Sequence, residues 1–106
     1  MQDLLATFTP KFVAIARTRI TKSIELAMQR SPDHVPVIAR ELHAIAGEAG
    51  LLGIGPVVKL ARGSEDLAKR LRASRSDADA DALLASLTEL KQAIEEVIPQ
   101  PERTHE

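Results

Sequence analysis

Residues 40–53 read Arg40-Glu41-Leu42-His43-Ala44-Ile45-Ala46-Gly47-Glu48-Ala49-Gly50-Leu51-Leu52-Gly53. Apolar residues recur here every three or four positions, and the pattern extends back to residue 34. At about 100° per residue, Ile38, Leu42, Ile45, Ala49 and Leu52 fall within a stripe about 80° wide. The segment 34–52 is therefore predicted to be an amphipathic helix with that stripe facing a core. His43 lies about 140° from the stripe's centre, on the solvent side. Ala39, Ala46, Gly47 and Gly50 surround it. An interior helical glycine costs roughly 1 kcal/mol relative to alanine, and both glycines share the histidine's face. An exposed imidazole on a clearing of small residues implies a large partner that approaches closely. Leu51, about 80° round from His43, is apolar but off the core stripe, which makes it a candidate docking contact.

The same periodicity extends in both directions. Leu4, Leu5 and Phe8 give residues 1–8 one apolar side, a short lead-in helix. Thr9-Pro10 then reads as an N-cap followed by proline at the first helical position. A long helix to about Arg30 carries Val13, Ala16, Ile20, Ile24 and Ala27. Ser31-Pro32-Asp33 breaks it, with Asp33 placed to cap the helix that holds His43. Beyond the turn Gly53-Ile54-Gly55-Pro56, the residues Val57, Leu60, Ser64, Leu67 and Leu71 mark a further helix to about Ala73. Ser74 to Asp81 reads as a polar loop whose acidic end suits a helix N-terminus. The last helix carries Leu83, Leu87, Leu90, Ile94 and Val97. Pro99 and Pro101 end it, leaving 99–106 as a tail expected to be disordered. No segment alternates with period two over a strand's length. The expected fold is all-α: an antiparallel up-down four-helix bundle with a short additional N-terminal helix, spanning 1–98.

The totals narrow the function. A 106-residue chain that is 44% hydrophobic suits one globular domain. With 14 basic and 15 acidic residues and a net charge of −1, there is no electrostatic case for nucleic acid or an anionic membrane. Phe8 and Phe12 are the only aromatics, too few for a base-stacking platform. No cysteine is present, so thiolate chemistry and Cys-ligated zinc are excluded. No stretch approaches the roughly 18 apolar residues of a membrane span, and the N-terminus lacks a signal-peptide pattern. A cytoplasmic monomer is expected.

The run from His43 to Gly53 resembles the signature of the histidine-containing phosphotransfer (HPt) domain family. That signature is a histidine, a small or basic residue and a glycine three and four positions on, then a small-Gly pair and a further glycine. Helix order and lengths resemble the family over nearly the whole chain. The resemblance implies that His43 is the phosphoacceptor of a two-component His-Asp phosphorelay. It would take a phosphoryl group from a receiver-domain aspartate and pass it to another receiver. The implied partners are receiver (response regulator) domains and a hybrid histidine kinase. The chain itself would bind no cofactor, and the receiver would carry the Mg²⁺. Many family members have lysine three residues after the histidine, where its charge helps to hold the phosphoryl group; this chain has Ala46. Arg40, or Lys59 and Arg62 on the next helix, are left as the supporting cations. Ala39, Ala46, Gly47, Gly50 and Leu51 would form the close-approach surface.

The residues suit that role. Imidazole ordinarily titrates near neutrality, so one ring nitrogen is available as a nucleophile without a general base. The chain has no Gly-x-x-x-x-Gly-Lys-Ser/Thr loop for ATP, so an autokinase is not expected. The alternative is a helical interaction module, or a degenerate HPt domain, that binds partners without being phosphorylated. A metal enzyme built on His34, His43, Glu41 and Glu48 is disfavoured: there is no His-Glu-x-x-His pattern, and both glutamates point away from His43 by angle. The run Asp77-Ala78-Asp79-Ala80-Asp81 lacks the glycine and distal glutamate of a calcium loop.

Overall fold

A computed structural model describes residues 2–97 of the chain, with side chains from Thr7 onward. Four α-helices follow one another: α1 (Gln2–Met28), α2 (Val35–Leu51), α3 (Gly55–Ser74) and α4 (Asp77–Glu96). Each packs on the next and α4 closes back on α1, the closed ring of an up-down bundle. The tail 99–106 lies outside the described residues.

The stripes found in the sequence form the core. Val13, Ala16, Ile20, Ile38, Leu42, Ile45, Ala49, Leu83, Leu87, Leu90 and Ile94 are all buried. Burying each large aliphatic side chain stabilises the fold by about 1.5–3 kcal/mol. On α3 the innermost positions are small: Val57, Ala61, Ser64 and Ala68 are fully buried, while Leu60, Leu67 and Leu71 pack on the flanks. The buried Ser64 hydroxyl is satisfied by Ser86 on α4, with Oγ atoms 2.5 Å apart. Small, satisfied residues at its centre let α3 lie close to its neighbours.

Three local expectations are corrected. The separate N-terminal helix does not form, because α1 runs unbroken from Gln2 through Pro10. Proline's fixed φ is itself helical, so the chain passes through it at the cost of a hydrogen bond. Asp33 does not cap α2. It sits in a 3-10 turn, Pro32–His34, and the α2 N-terminus has no side-chain cap. The loop expected over 74–81 shrinks to Arg75-Ser76, since Ser76 caps α4 by accepting from the Asp79 amide at 3.1 Å. The acidic residues Asp77 and Asp79 then occupy the first turn of α4, where the helix dipole favours them.

The α2–α3 turn fixes the ground on which His43 stands. Gly53 has φ +73°, the left-handed conformation that glycine adopts at little cost. Its amide donates to the Gly50 carbonyl at 3.2 Å, and the Ile54 amide donates to the Ala49 carbonyl at 2.9 Å. This pair of bonds is a Schellman motif. It satisfies the last carbonyls of α2 and turns the chain directly into α3.

Candidate functional site

His43 stands on α2 with its side chain 74% exposed, as its angle to the core stripe requires. Its Nδ1 lies 3.3 Å from Oε2 of Glu65 on α3, a carboxylate only 15% exposed. An acidic oxygen at that distance favours the proton on Nδ1. Nε2 then keeps its lone pair, because in neutral imidazole one nitrogen carries the hydrogen and the other does not. A sheltered carboxylate thus faces Nδ1 and leaves Nε2 as the nitrogen turned away from it.

The contact also reports the register of the hairpin. A Cβ added to Gly50 would sit 4.0 Å from Val58 of α3. The residue numbers of this pair and of His43–Glu65 both add to 108, as expected for antiparallel helices level at these points. On that register Ala46 is level with Arg62, and Ala39 with Lys69.

The small residues around His43 divide into two groups. Ala39, Ala46 and Gly50 lie within about 60° of His43 on the side facing α3. Ala46 is 1% exposed and belongs to the core, and Ala39 is half-buried against it. The expectation that Ala46 and Ala39 form open surface is therefore corrected: they bring α2 and α3 together. Gly47 lies about 40° to the other side, opposite the core stripe, with nothing within 4 Å of where its Cβ would be. It is the open ground beside the imidazole. Gly50 is exposed at the edge of the seam, and Leu51 is 88% exposed.

The candidate cations separate as well. Arg40, Lys59 and Arg62 are all exposed. Arg40 is on α2 one turn before His43, about 60° round on the open side. Arg62 precedes Glu65 by one turn and is rotated about 60° from it, whereas Lys59 is rotated about 120° and turns away from α2. Glu41 and Glu48 do not join the histidine. They face α1, where Arg19 donates to Glu41 at 2.8 Å and lies 3.6 Å from Glu48. The bond that Arg19 donates to Glu41 raises the Arg19 pKa above its ordinary value against the opposing effect of burial. Among the described residues no cluster of His, Asp and Glu is arranged to hold a metal, and no helix is long and apolar enough to cross a membrane.

Glu65 is the site residue that the sequence did not disclose. It sits one position after the core residue Ser64, on the flank of α3 facing α2. Only the hairpin register shows that this flank meets His43.

The Hpt domain family model matches residues 11–98, the span that holds the bundle, His43 and Glu65. No curated protein and no solved structure matches the chain.

Proposed function

The chain belongs to the Hpt domain family, the phosphotransfer modules of two-component signalling, and from that premise we propose that His43 is its phosphoacceptor. The observation that carries this reading is one exposed imidazole whose Nδ1 faces Glu65 at 3.3 Å, beside open ground at Gly47. It is an imidazole set up as a nucleophile on a surface that another domain can reach.

In the proposed reaction the Nε2 lone pair attacks phosphorus of an aspartyl phosphate on a receiver domain. The Nε2–P bond forms as the P–O bond to the aspartate breaks, and that electron pair leaves with the carboxylate. The Nδ1 proton stays in place, so the ring becomes a phosphorylated imidazolium whose charge faces Glu65. Positive charge also makes the ring a good leaving group, so the same contact serves onward transfer to a second receiver. The chain supplies a positioned nitrogen and a docking surface. The receiver supplies the acidic pocket and the Mg²⁺ that offsets charge on the transferring group. The sequence carries no Gly-x-x-x-x-Gly-Lys-Ser/Thr loop, and in this reading the chain is an intermediate that takes its phosphoryl group from a receiver.

The test is incubation with a panel of receiver domains charged by labelled acetyl phosphate. Acid-labile, alkali-stable label should appear on the protein and be absent from His43→Gln, whose circular dichroism should match the parent. Receiver binding without label identifies a degenerate module instead. Label that survives His43→Gln overturns the assignment.

A further inference from the structure

At the end of the bundle away from the α2–α3 turn, a cavity of about 380 Å³ lies between the α1–α2 and α3–α4 turns. Its volume falls at the lower end of the roughly 300–1,000 Å³ range of small-molecule sites. The floor is apolar: Val35, Ile38 and Leu83 are buried there, and Leu26 and Leu71 are half-buried. Arg30, Arg72 and Arg75 line the mouth and are exposed. Two of these arginines occupy backbone positions that suit glycine. Arg30 has φ +59° and Arg75 φ +55°, the left-handed region in which a Cβ is crowded. Among the described residues they are the only ones other than glycine with positive φ, and both line this cavity. Strained residues of this kind cluster where a side chain serves a ligand. Arg30 is bound to Asp81 at 2.5 Å, but among the described residues Arg72 and Arg75 have no ion-pair partner. The acids beside them do not take them up. Asp77 lies in the first turn of α4, where the helix dipole offsets its charge, and Asp33 is exposed on the α1–α2 turn.

We infer that this cavity binds a small amphiphilic carboxylate, with its apolar body on Ile38, Leu71 and Leu83 and its anionic head on Arg72 and Arg75. An apolar floor removes the body from water, and two unpaired guanidinium groups at the mouth suit a planar carboxylate, which each can bind bidentately. The left-handed backbone at Arg75 gains a purpose, because glycine there would relieve the strain and remove the head's partner. Val35 and Ile38 precede His43 by about 12 and 8 Å of helix rise. The ligand therefore sits under the first turns of α2, apart from the imidazole, and the inference does not depend on His43 as phosphoacceptor.

The full chain is titrated with decanoate, below its micellar concentration, and followed by amide ¹H–¹⁵N spectra. Saturable shifts should centre on Val35, Ile38, Leu71 and Ala80. Decanol, which has the body without the charge, should bind about tenfold more weakly, the scale of one charge-assisted contact. The double variant Arg72→Gln/Arg75→Gln should weaken decanoate by about tenfold or more. Arg75→Gly should also bind decanoate more weakly while melting no lower than the parent, and His43→Gln should bind like the parent. Shifts that fail to saturate, or that centre on the exposed apolar residues Phe8, Ile15 and Leu51, overturn the site. Equal affinity for decanoate and decanol, or a double variant that binds like the parent, overturns the anion. An Arg75→Gly variant that loses stability and keeps its affinity shows that the arginine serves only the helix end, and overturns the inference as well. Phosphatidylglycerol vesicles should leave the chain in the supernatant; co-sedimentation lost in the double variant would put a lipid surface in the ligand's place and overturn the small-molecule site.

Discussion

Where α2 meets α1, charged side chains close on one another: Arg19 with Glu41 and Glu48, and Lys22 with Glu41. Where α2 meets α3, the seam is made of Ala39, Ala46 and Gly50, with one polar contact from His43 to Glu65. Among the described residues the cations along that second seam, Arg40, Arg62 and Lys69, have no ion-pair partner. Both seams hold the same helix, but the first consumes its charge within the fold and the second keeps its charge available. The difference separates what makes the bundle stable from what makes it reactive, and substitutions on the two flanks of α2 should therefore fail in different ways.

The widest separation is expected at two adjacent residues. A Cβ at Gly47 would have no atom within 4 Å, and Gly47→Leu replaces a helical glycine on the exposed face, so the bundle should be as stable as the parent or up to about 1 kcal/mol more stable. The leucine would stand where a receiver must come close, and transfer should fall about a hundredfold, since misplacement of reacting groups by an ångström costs that much. Ala46→Leu forces a large side chain into the α2–α3 seam and should lose about 1–3 kcal/mol. Paired thermal melts and transfer rates decide the matter. Normal transfer by folded Gly47→Leu ends the close-approach argument.

That pair also shows how far the sequence could be read. The exposure of His43 followed from its angle to Ile38, Leu42, Ile45 and Ala49, because one helix fixes those angles by itself. Allocating Ala46 to a seam and Gly47 to open ground required knowing that α3 lies on one flank and not the other. That is a property of the assembled bundle. Glu65 was hidden for the same reason: it meets His43 through the register that the Gly53 turn imposes. Helix ends were misread where local chemistry allowed two outcomes, at Pro10, whose φ suits a helix start or a helix interior, and at Ser76, whose cap draws Asp77–Asp81 into α4.

On the α1 flank the expected loss is one of stability alone. Arg19→Ala leaves Glu41, only 15% exposed, without its hydrogen-bond donor. A half-buried acceptor of this kind should cost about 1–2 kcal/mol. That corresponds to a fall in Tm of roughly 4–8 °C per kcal/mol for a domain of this size. Transfer per folded molecule should match the parent; a slower rate would mean that the two flanks are coupled through α2.

A smaller effect is expected from Glu65→Gln. The amide keeps the size and the polar oxygen of the carboxylate beside Nδ1, so the packing around the ring persists. What is lost is the negative charge facing the phosphorylated imidazolium. Transfer in either direction should slow by about three- to tenfold, the scale of one charge-assisted contact weakened to a neutral one. Melting should change little. A rate equal to the parent's would reduce Glu65 to a packing neighbour.

The smallest effect is expected at a second ion pair of α1, exposed where Arg19–Glu41 is sheltered. Arg17 binds Glu95 of α4 through two contacts of 2.8 Å, and the bond from Arg17 holds the Glu95 carboxyl below the usual carboxylate range. In the unfolded chain Glu95 returns to its ordinary value near 4.3. Between the two values the unfolded state binds more protons, so stability rises with pH there. The contribution is fully present above about pH 4.3, and it is lost as pH falls through the lower folded value. Water reaches both partners and salt screens them, so Arg17→Gln should change Tm only slightly at pH 7. It should flatten the slope of Tm against pH below about pH 4, and 0.5 M salt should flatten the parent to match. An identical slope in parent and variant at low salt would show that charge on α1 stabilises the bundle only where it is sheltered, as it is at Glu41.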